Sequence, residues 1–464
     1  MSDSPVAAVT RRTVTWEDQL AFAARSGDWN PFHVDAIAAR RTAFGRPVVH
    51  GMHLVEMAVA ATADAPDRRL GHVRGVFRHP VPVGAEIEIS ARRDAGSSRW
   101  NVAVDVDVWR ALDLVVEFAD RRVPTPARDD RDQRHPPADT PRTVEIAEVE
   151  GMAGRIDLNV SSAPEAVLPA LSRLVGMHVP GLHSVFSSFD VTFSAGDPTS
   201  GNDHLDYVVD TVDERFGRIG IAVSNARTSG RVVAFFRPPP TVQPSPEQWP
   251  AMPEPGEFAG QRAMVVGGSR GLGAATAMLL AAGGAEVTLT WRAGRDDADE
   301  VAGIIRRAGG AATVLELDVT DAASIDRAVT ASADSMPTQL WFFATPPIFD
   351  GVNGVYSDAL LDRFRAVYVD GFARLFAALD HRCLQVVVNP SSVAVDDTPG
   401  SMREYADAKR DAEATARELA AAHPSIHVAT PRLPRLATDQ TASVMPTDVA
   451  DTIPVLLALI RSVR

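Results

Sequence analysis

Two proline-rich stretches limit what this chain can fold into more than any other feature. PTPARDDRDQRHPPADTP (124–141) is charged and nearly free of large apolar residues, and RPPPTVQPSPEQWPAMPEPGE (237–257) is denser still in proline. Proline removes an amide donor and fixes φ, so both stretches read as linkers, the second extended and fairly stiff. The expected organisation is a first domain over 1–123, a linker over 124–143, a second domain over 144–237, a proline-rich linker over 238–257 and a third domain over 258–464. Each domain falls within the usual size range.

Composition narrows the class. With 464 residues, 45% hydrophobic and 23% charged, the chain has ample material for several cores. A net charge of −14 and the lack of a basic cluster argue against nucleic acid as a partner. The single cysteine, Cys383, excludes an internal disulfide and cysteine-based zinc sites, fits a reducing cytoplasm, and no metal site is expected. No run of about 18 apolar residues is present to span a membrane, and MSDSPVAAVTRRTV lacks the apolar core of a signal peptide.

The first two blocks read as versions of one unit. VVHGMHLVEM (48–57) is echoed by RLVGMHVPGL (173–182), and VRGVFRHPVPVGAEIEI (73–89) by LHSVFSSFDVTFSAGD (182–197). Each closes on β-rich runs: WNVAVDVDVW (100–109) and DLVVEFADRRV (113–123), then RIGIAVSNA (218–226) and GRVVAFFRP (230–238). Such runs between short polar turns predict antiparallel strands. One apolar helix followed by several antiparallel strands is the order of a hotdog fold, so the expectation is an α+β double hotdog. The third block alternates strand and helix, with strands expected at 263–268, 285–291, 311–319, 339–345, 384–392 and 426–431. That pattern predicts an α/β Rossmann-type, doubly wound parallel sheet.

After the first of these strands comes GGSRGLGAATAMLLAAGG (267–284), in which Gly267, Gly271 and Gly273 open a helix. Glycines there let the backbone approach a pyrophosphate, which rests on amides at the positive helix end. Downstream, Ser392, Tyr405 and Lys409 stand in SSVAVDDTPGSMREYADAK. Tyr405 and Lys409, four apart, share a helix face, so the ammonium can depress the phenol pKa and hold a ribose. Ser392, at the preceding strand end, can position a carbonyl.

On these motifs residues 258–464 resemble the short-chain dehydrogenase/reductase family. The resemblance implies that Tyr405 is the general acid/base, Ser392 orients substrate and Lys409 binds the nicotinamide ribose. It places Gly267, Ser269, Arg270, Gly271, Gly273, Arg292, Asp318 and Val319 around the cofactor, with Asp318 at the adenine. Arg270 and Arg292 stand where family members bind a 2′-phosphate, and no acid occupies either place, which favours NADP(H). Three positions depart from the family pattern: FFAT (342–345) replaces its N-N-A-G segment, Val266 its usual Thr, and Tyr368 its relay asparagine.

In the first block GDWNPFHVD brings Asp28, Asn30 and His33 together, with Gly51 eighteen residues past the histidine. Taken alone the stretch also reads as a helix cap at Asp28, an Asn-Pro turn and a surface histidine. With Gly51 it resembles the MaoC-like, (R)-specific enoyl-CoA hydratase family over residues 10–123. The resemblance implies that Asp28 and His33 share the water and proton work, Asn30 orients them, and the Gly51 amide donates to the thioester oxyanion. His50 and His53 read as packing or substrate lining, and His178 and His183 as buried, satisfied histidines. In the second block Asp157 and Asn159 repeat D-x-N, but position 162 is serine, so that half is expected to be degenerate and to supply shape, such as an acyl tunnel.

Together these resemblances imply a bifunctional enzyme, a 3-oxoacyl thioester reductase joined to a 3-hydroxyacyl thioester dehydratase in fatty-acyl or polyketide-type biosynthesis. The acyl group would be carried by coenzyme A or an acyl carrier protein, and the protein would be a homo-oligomer. The alternatives are hydration and dehydrogenation in breakdown, for which NAD preference would speak, or a chain with one silent domain.

Overall fold

The computed structural model describes residues 6–62, 69–94, 97–119, 139–158, 166–194, 203–442 and 448–463. They fall into two compact units, one chiefly of residues up to Arg40 and Arg46–Pro239, the other chiefly of Pro240–Ala442 and the C-terminal helix. No helix among the described residues is long and apolar enough to cross a membrane. Most of the first linker, 124–138, together with Asn159 and Ser162, lies outside the described residues.

The first unit is one ten-stranded sheet with helices on its inner face. Its first half contains β1 (Val6–Thr13), α1 (Trp16–Ser26), α2 (Pro31–Val34), α3 (Ala36–Arg40), α4 (Gly51–Ala60), β2 (Arg69–Phe77), β3 (Glu86–Arg93), β4 (Arg99–Val106) and β5 (Trp109–Ala119). Its second half contains β6 (Ala153–Asp157), α5 (Val167–Arg173), β7 (Ser184–Phe193), β8 (His204–Asp213), β9 (Arg218–Asn225) and β10 (Thr228–Phe236). The strand order is β1-β3-β4-β5-β2-β7-β10-β9-β8-β6. Read outward from the central antiparallel pair β2–β7, the two halves run through their strands in the same sequence. Alternation drives this arrangement. Val102, Val104, Leu114 and Val116 turn inward and are buried against the helices, while Asn101, Ala103, Asp113 and Val115 line the outer face.

The duplicated Gly-Met-His run does not occupy equivalent places in the two halves. In the first, Gly51 opens α4; in the second, Gly176 lies in a wide π turn, Leu174–His178, that ends α5. The strands carry the repeat and the short motif does not.

The second unit is a six-stranded parallel sheet ordered β13-β12-β11-β14-β15-β17. Its strands are β11 (Arg262–Val266), β12 (Glu286–Trp291), β13 (Ala311–Glu316), β14 (Gln339–Phe342), β15 (Val386–Val388) and β17 (His427–Ala429), each inside or within a residue of an expected segment. Between them run α6 (Gly271–Ala282), α7 (Arg295–Arg307), α8 (Ala322–Ala331), α9 (Asp358–Arg365), α10 (Phe372–Ala378), α11 (Ala394–Asp397) and α12 (Arg403–Ala422). A short parallel pair, β16 (Ser391–Ser392) and β18 (Arg432–Leu433), sits beside α12, and α13 (Thr452–Ser462) closes the chain. The strand cores Met264–Val266, Leu340–Phe342 and Val386–Val388 are buried, as expected for a sheet covered on both faces.

Candidate functional site

The stretch from Gly27 to His33 is built as a tight entry into α2. Gly27 ends α1 in a left-handed conformation, φ 76°, and its amide donates to the Ala23 carbonyl. Asn30, not Asp28, caps α2: its side-chain oxygen accepts from the Phe32 amide. Pro31 then occupies the first helical position, where no amide is needed. Asp28 is freed from capping, and neither it nor His33 lies at the surface; both are buried, with Asn30 and His50.

Around them, bonds of 2.7–3.3 Å fix each side chain. Asp28 Oδ2 accepts from Ser172 Oγ at 2.7 Å, and its Oδ1 accepts from the Asn30 amide at 3.2 Å. Asn30 Nδ2 donates to the carbonyls of Gly176, Gly181 and Leu182 at 2.8, 3.1 and 3.3 Å. His33 Nδ1 lies 2.7 Å from the Val48 carbonyl, and His50 Nε2 lies 2.9 Å from the Asp28 carbonyl. A carbonyl oxygen only accepts, so both of these ring nitrogens carry hydrogen. His33 therefore presents its Nε2 lone pair, and its ring stacks on His50 with centroids 3.9 Å apart.

Burial drives both members of the pair toward their neutral forms. The Asp28 carboxyl is pushed up to about 7 by loss of water, against the opposing bonds from Ser172 and Asn30. The His33 imidazole is pushed down to about 3 by burial, with the Arg237 charge adding to the effect against the Val48 bond. Arg237 lies over the Phe32 ring, 5.4 Å from its centroid, and donates to the Leu182 carbonyl at 2.7 Å. Asp28, His33 and His50 offer ligand-type atoms within 4.8 Å of one another. With His50 Nε2 committed as a donor, the cluster presents an acid beside a base rather than three converging lone pairs.

Gly51 opens α4, so its amide is one of the donors that a helix leaves unsatisfied at its positive end. A Cβ here would stand 2.8 Å from the Phe77 ring, so a larger residue would require that ring to shift. His50 belongs to the cluster rather than to general packing. His178 and His183 are half-buried rather than fully buried, and His183 Nδ1 has no partner. Local sequence carried no sign of Ser172 or Gly176, 144 and 148 positions away from Asp28. A Cβ on Gly176 would stand 2.2 Å from Asp28 Oδ1.

In the second unit Gly267 (φ +76°) turns the chain out of β11, and Gly271 (φ +57°) starts α6. A Cβ on Gly273 would stand 2.2 Å from the Gly267 carbonyl oxygen, so the turn packs against the helix backbone. Together they leave an amide-lined helix end of the kind that holds a dinucleotide's pyrophosphate, so these residues fit such a cofactor. Ser269 is buried beside them. Asp318 accepts from the amide and hydroxyl of Thr320 at 2.9 and 2.6 Å, while Val319 is buried in the core beneath the sheet. Both arginines expected to meet a 2′-phosphate have acidic partners: Arg292 is 3.8 Å from Asp318, and Arg270 2.9 Å from Asp439.

Ser392, Tyr405 and Lys409 are brought together by β16 and α12. Burial raises the Tyr405 phenol to about 12, against a hydrogen bond with Ser392 that lowers it. The phenol thus stands above its ordinary value, not below it as expected, because burial outweighs the lowering. Lys409 is pushed down to about 7 by burial, which leaves it only partly charged near neutrality. Its Nζ donates to the Pro390 carbonyl at 2.8 Å and sits 3.9 Å from the Tyr368 ring centroid. Two family departures are one physical change, because the Tyr368 hydroxyl bonds Thr345 Oγ1, of FFAT, at 2.5 Å.

Residues 2–108 match the model of the MaoC like domain, and residues 261–346 that of the short chain dehydrogenase. Over 81 residues the chain is 40% identical to an (R)-specific enoyl-CoA hydratase of Aeromonas caviae, covering 16% of this chain and 60% of that protein. Over 59 residues it is 48% identical to the uncharacterized oxidoreductase YgfF of Escherichia coli (strain K12), covering 13% of this chain and 24% of that protein. The chain thus spans from about a quarter to three-fifths of the length of these curated relatives. Among solved structures, a dehydrogenase/reductase from Sinorhizobium meliloti 1021 aligns at 24% identity and a TM-score of 0.39, covering 44% of this chain and 86% of that one. An alcohol dehydrogenase from the archaeon Thermococcus sibiricus, complexed with 5-hydroxy-NADP, aligns at 18% and 0.40, covering 44% and 89%. The chain carries a MaoC-like domain toward its N-terminal end and a short-chain dehydrogenase domain toward its C-terminal end.

Proposed function

We propose that the protein reduces 3-oxoacyl thioesters and dehydrates the 3-hydroxyacyl thioesters so formed, as a biosynthetic enzyme working on acyl groups carried by coenzyme A or a carrier protein. In this reading the first unit is a double hotdog whose second half is degenerate but completes the water-handling site. The observation that carries it is the buried Asp28–His33 pair, an acid near its titration point beside an imidazole whose Nε2 lone pair is open.

In dehydration the His33 Nε2 takes the proton α to the thioester. The Gly51 amide receives the negative charge that develops on the thioester oxygen, and the protonated Asp28 delivers its proton to the departing hydroxyl, which leaves as water. Hydration is the same path reversed. In the second unit a nicotinamide, when bound, would supply a hydride. Ser392 would orient the 3-oxo group, Tyr405 would give its phenolic proton to the oxygen, and Lys409 would hold the cofactor's ribose. The two arginines near the Gly-rich turn favour NADP(H) as that cofactor.

The test uses the full chain. Tyr405→Phe is expected to cut NADPH oxidation with acetoacetyl thioesters by about 10²–10⁴-fold while leaving crotonyl-CoA hydration intact. Asp28→Asn is expected to do the converse. Wild-type turnover of neither substrate, or variants that match wild type, would sink the assignment.

A further inference from the structure

The ion pair at the Gly-rich turn involves a segment that the sequence motifs did not point to. Residues 436–442 lie across the first turn of α6: a Cβ on Gly271 would stand 3.8 Å from Thr438 Cγ2. Thr438 caps the short turn Asp439–Thr441 in a reciprocal capping box. Side-chain bonds on several sides then hold that turn. Gln440 Oε1 accepts from the Ile348 amide at 3.1 Å, Arg435 Nη2 donates to the Thr441 carbonyl at 2.7 Å, and Gln243 Nε2 donates to the Ala437 carbonyl at 3.0 Å.

Both carboxylate oxygens of Asp439 are engaged within this framework. Its Oδ1 accepts from the Thr241 amide at 2.8 Å, and its Oδ2 meets Arg270 Nη1 at 2.9 Å. The pair is mostly shielded, with side chains 25% and 11% exposed for Arg270 and Asp439. Arg270 is the residue that immediately precedes α6, at the mouth of the anion-binding turn. The carboxylate takes one Nη1 donor of the guanidinium and sets a negative charge beside any phosphate that the remaining donors would hold, so the two anions compete for the same cation. The protein therefore holds an internal anion on the cation that a phosphorylated cofactor needs.

We propose that Asp439 is a specificity-determining residue of the reductase half: it competes with a cofactor's 2′-phosphate for Arg270 and so sets how strongly the protein distinguishes phosphorylated from unphosphorylated dinucleotides. A dinucleotide without that phosphate leaves the pair in place. A phosphorylated one gains an Arg–phosphate contact but shares the guanidinium with, and is repelled by, the Asp439 carboxylate, so its advantage is blunted. The proposal rests on reading residues 258–464 as a dinucleotide-dependent reductase.

Calorimetric titration of the full chain with NADPH, NADH, 2′-phospho-ADP-ribose and ADP-ribose tests it by binding alone. Asp439→Asn keeps the acceptor for the Thr241 amide and removes the charge. It is expected to tighten both phosphorylated ligands about three- to tenfold and the unphosphorylated ones less than twofold, in keeping with the strength of a partly shielded ion pair. Arg270→Ala is expected to weaken the phosphorylated ligands and to make Asp439→Asn silent in the double variant. Equal effects on both ligand classes, or no effect of Asp439→Asn on a wild type that binds them, overturn the proposal while leaving the reductase reading standing. A wild type that binds none of the four ligands overturns both.

Discussion

Asp28 and His33 are shifted by the same loss of water, yet they make opposite demands on pH. Asp28 titrates at about 7 when folded, above its unfolded value near 4. Its contribution to stability is present below about pH 4 and is lost as pH rises through about 7, where a carboxylate must be buried. His33 titrates at about 3 when folded, below its unfolded value near 6.5. Its contribution is present above about pH 6.5 and is lost as pH falls toward 3. Asp28→Asn is therefore expected to raise the midpoint of thermal unfolding at pH 8 and to change it little at pH 4; equal shifts at both would remove Asp28 as the titrating group. The Ser172 bond to Oδ2 favours the charged form, so Ser172→Ala is expected to move the bend in the hydration pH profile upward from about 7. The three residues of GDWNPFH that meet in the cluster were legible in the sequence because a short turn brings them together. Ser172 was not, because no local pattern encodes a contact across 144 positions.

At the scale of elements, the strands were the most legible part of the chain. Runs such as AMVVGG and LQVVVNPSS are β-branched and bounded by turn residues, and a sheet covered on both faces has no other use for them. The shared Gly-Met-His misled for a physical reason: glycine is equally at home opening a helix and allowing a close approach. Gly51 does the first, while Gly176 sits where a wide turn closes α5 against Asp28. Gly176→Ala would drive a methyl group into Oδ1, and a small-to-large change in such packing costs about 1–3 kcal/mol. The expected outcome is loss of most crotonyl-CoA hydration with NADPH oxidation retained, measured on the same preparation. Retained hydration would mean that the Asp28 carboxylate is free to move aside. The Tyr368–Thr345 bond was half legible, since both departures stood out in the sequence but nothing there showed that they touch.

Taken whole, the molecule is strongly acidic, but its arginines are not spread evenly. Arg74, Arg92, Arg99 and Arg110 line a groove on the outer face of β2–β5. Three of them are laced to acids: Arg74 to Asp190 at 3.9 Å, Arg99 to Glu117 at 3.6 Å and Arg110 to Asp113 at 2.6 Å. Such exposed pairs neutralise the face and add little stability. The groove also lies on the opposite side of the sheet from α4, away from the Asp28 cluster.

The likeness of the two halves in strand order and their unlikeness at Gly51 and Gly176 has a consequence for counting. Two equivalent halves facing each other would offer two acyl berths related by symmetry. Here the second half spends its central turn against Asp28 and Asn30, and on the proposed reading it would complete its neighbour's site instead of keeping one of its own. A slowly released enoyl-thioester analogue is therefore expected to saturate this unit at one molecule per chain, and a measured stoichiometry of two would show that the duplicate has kept a working interior.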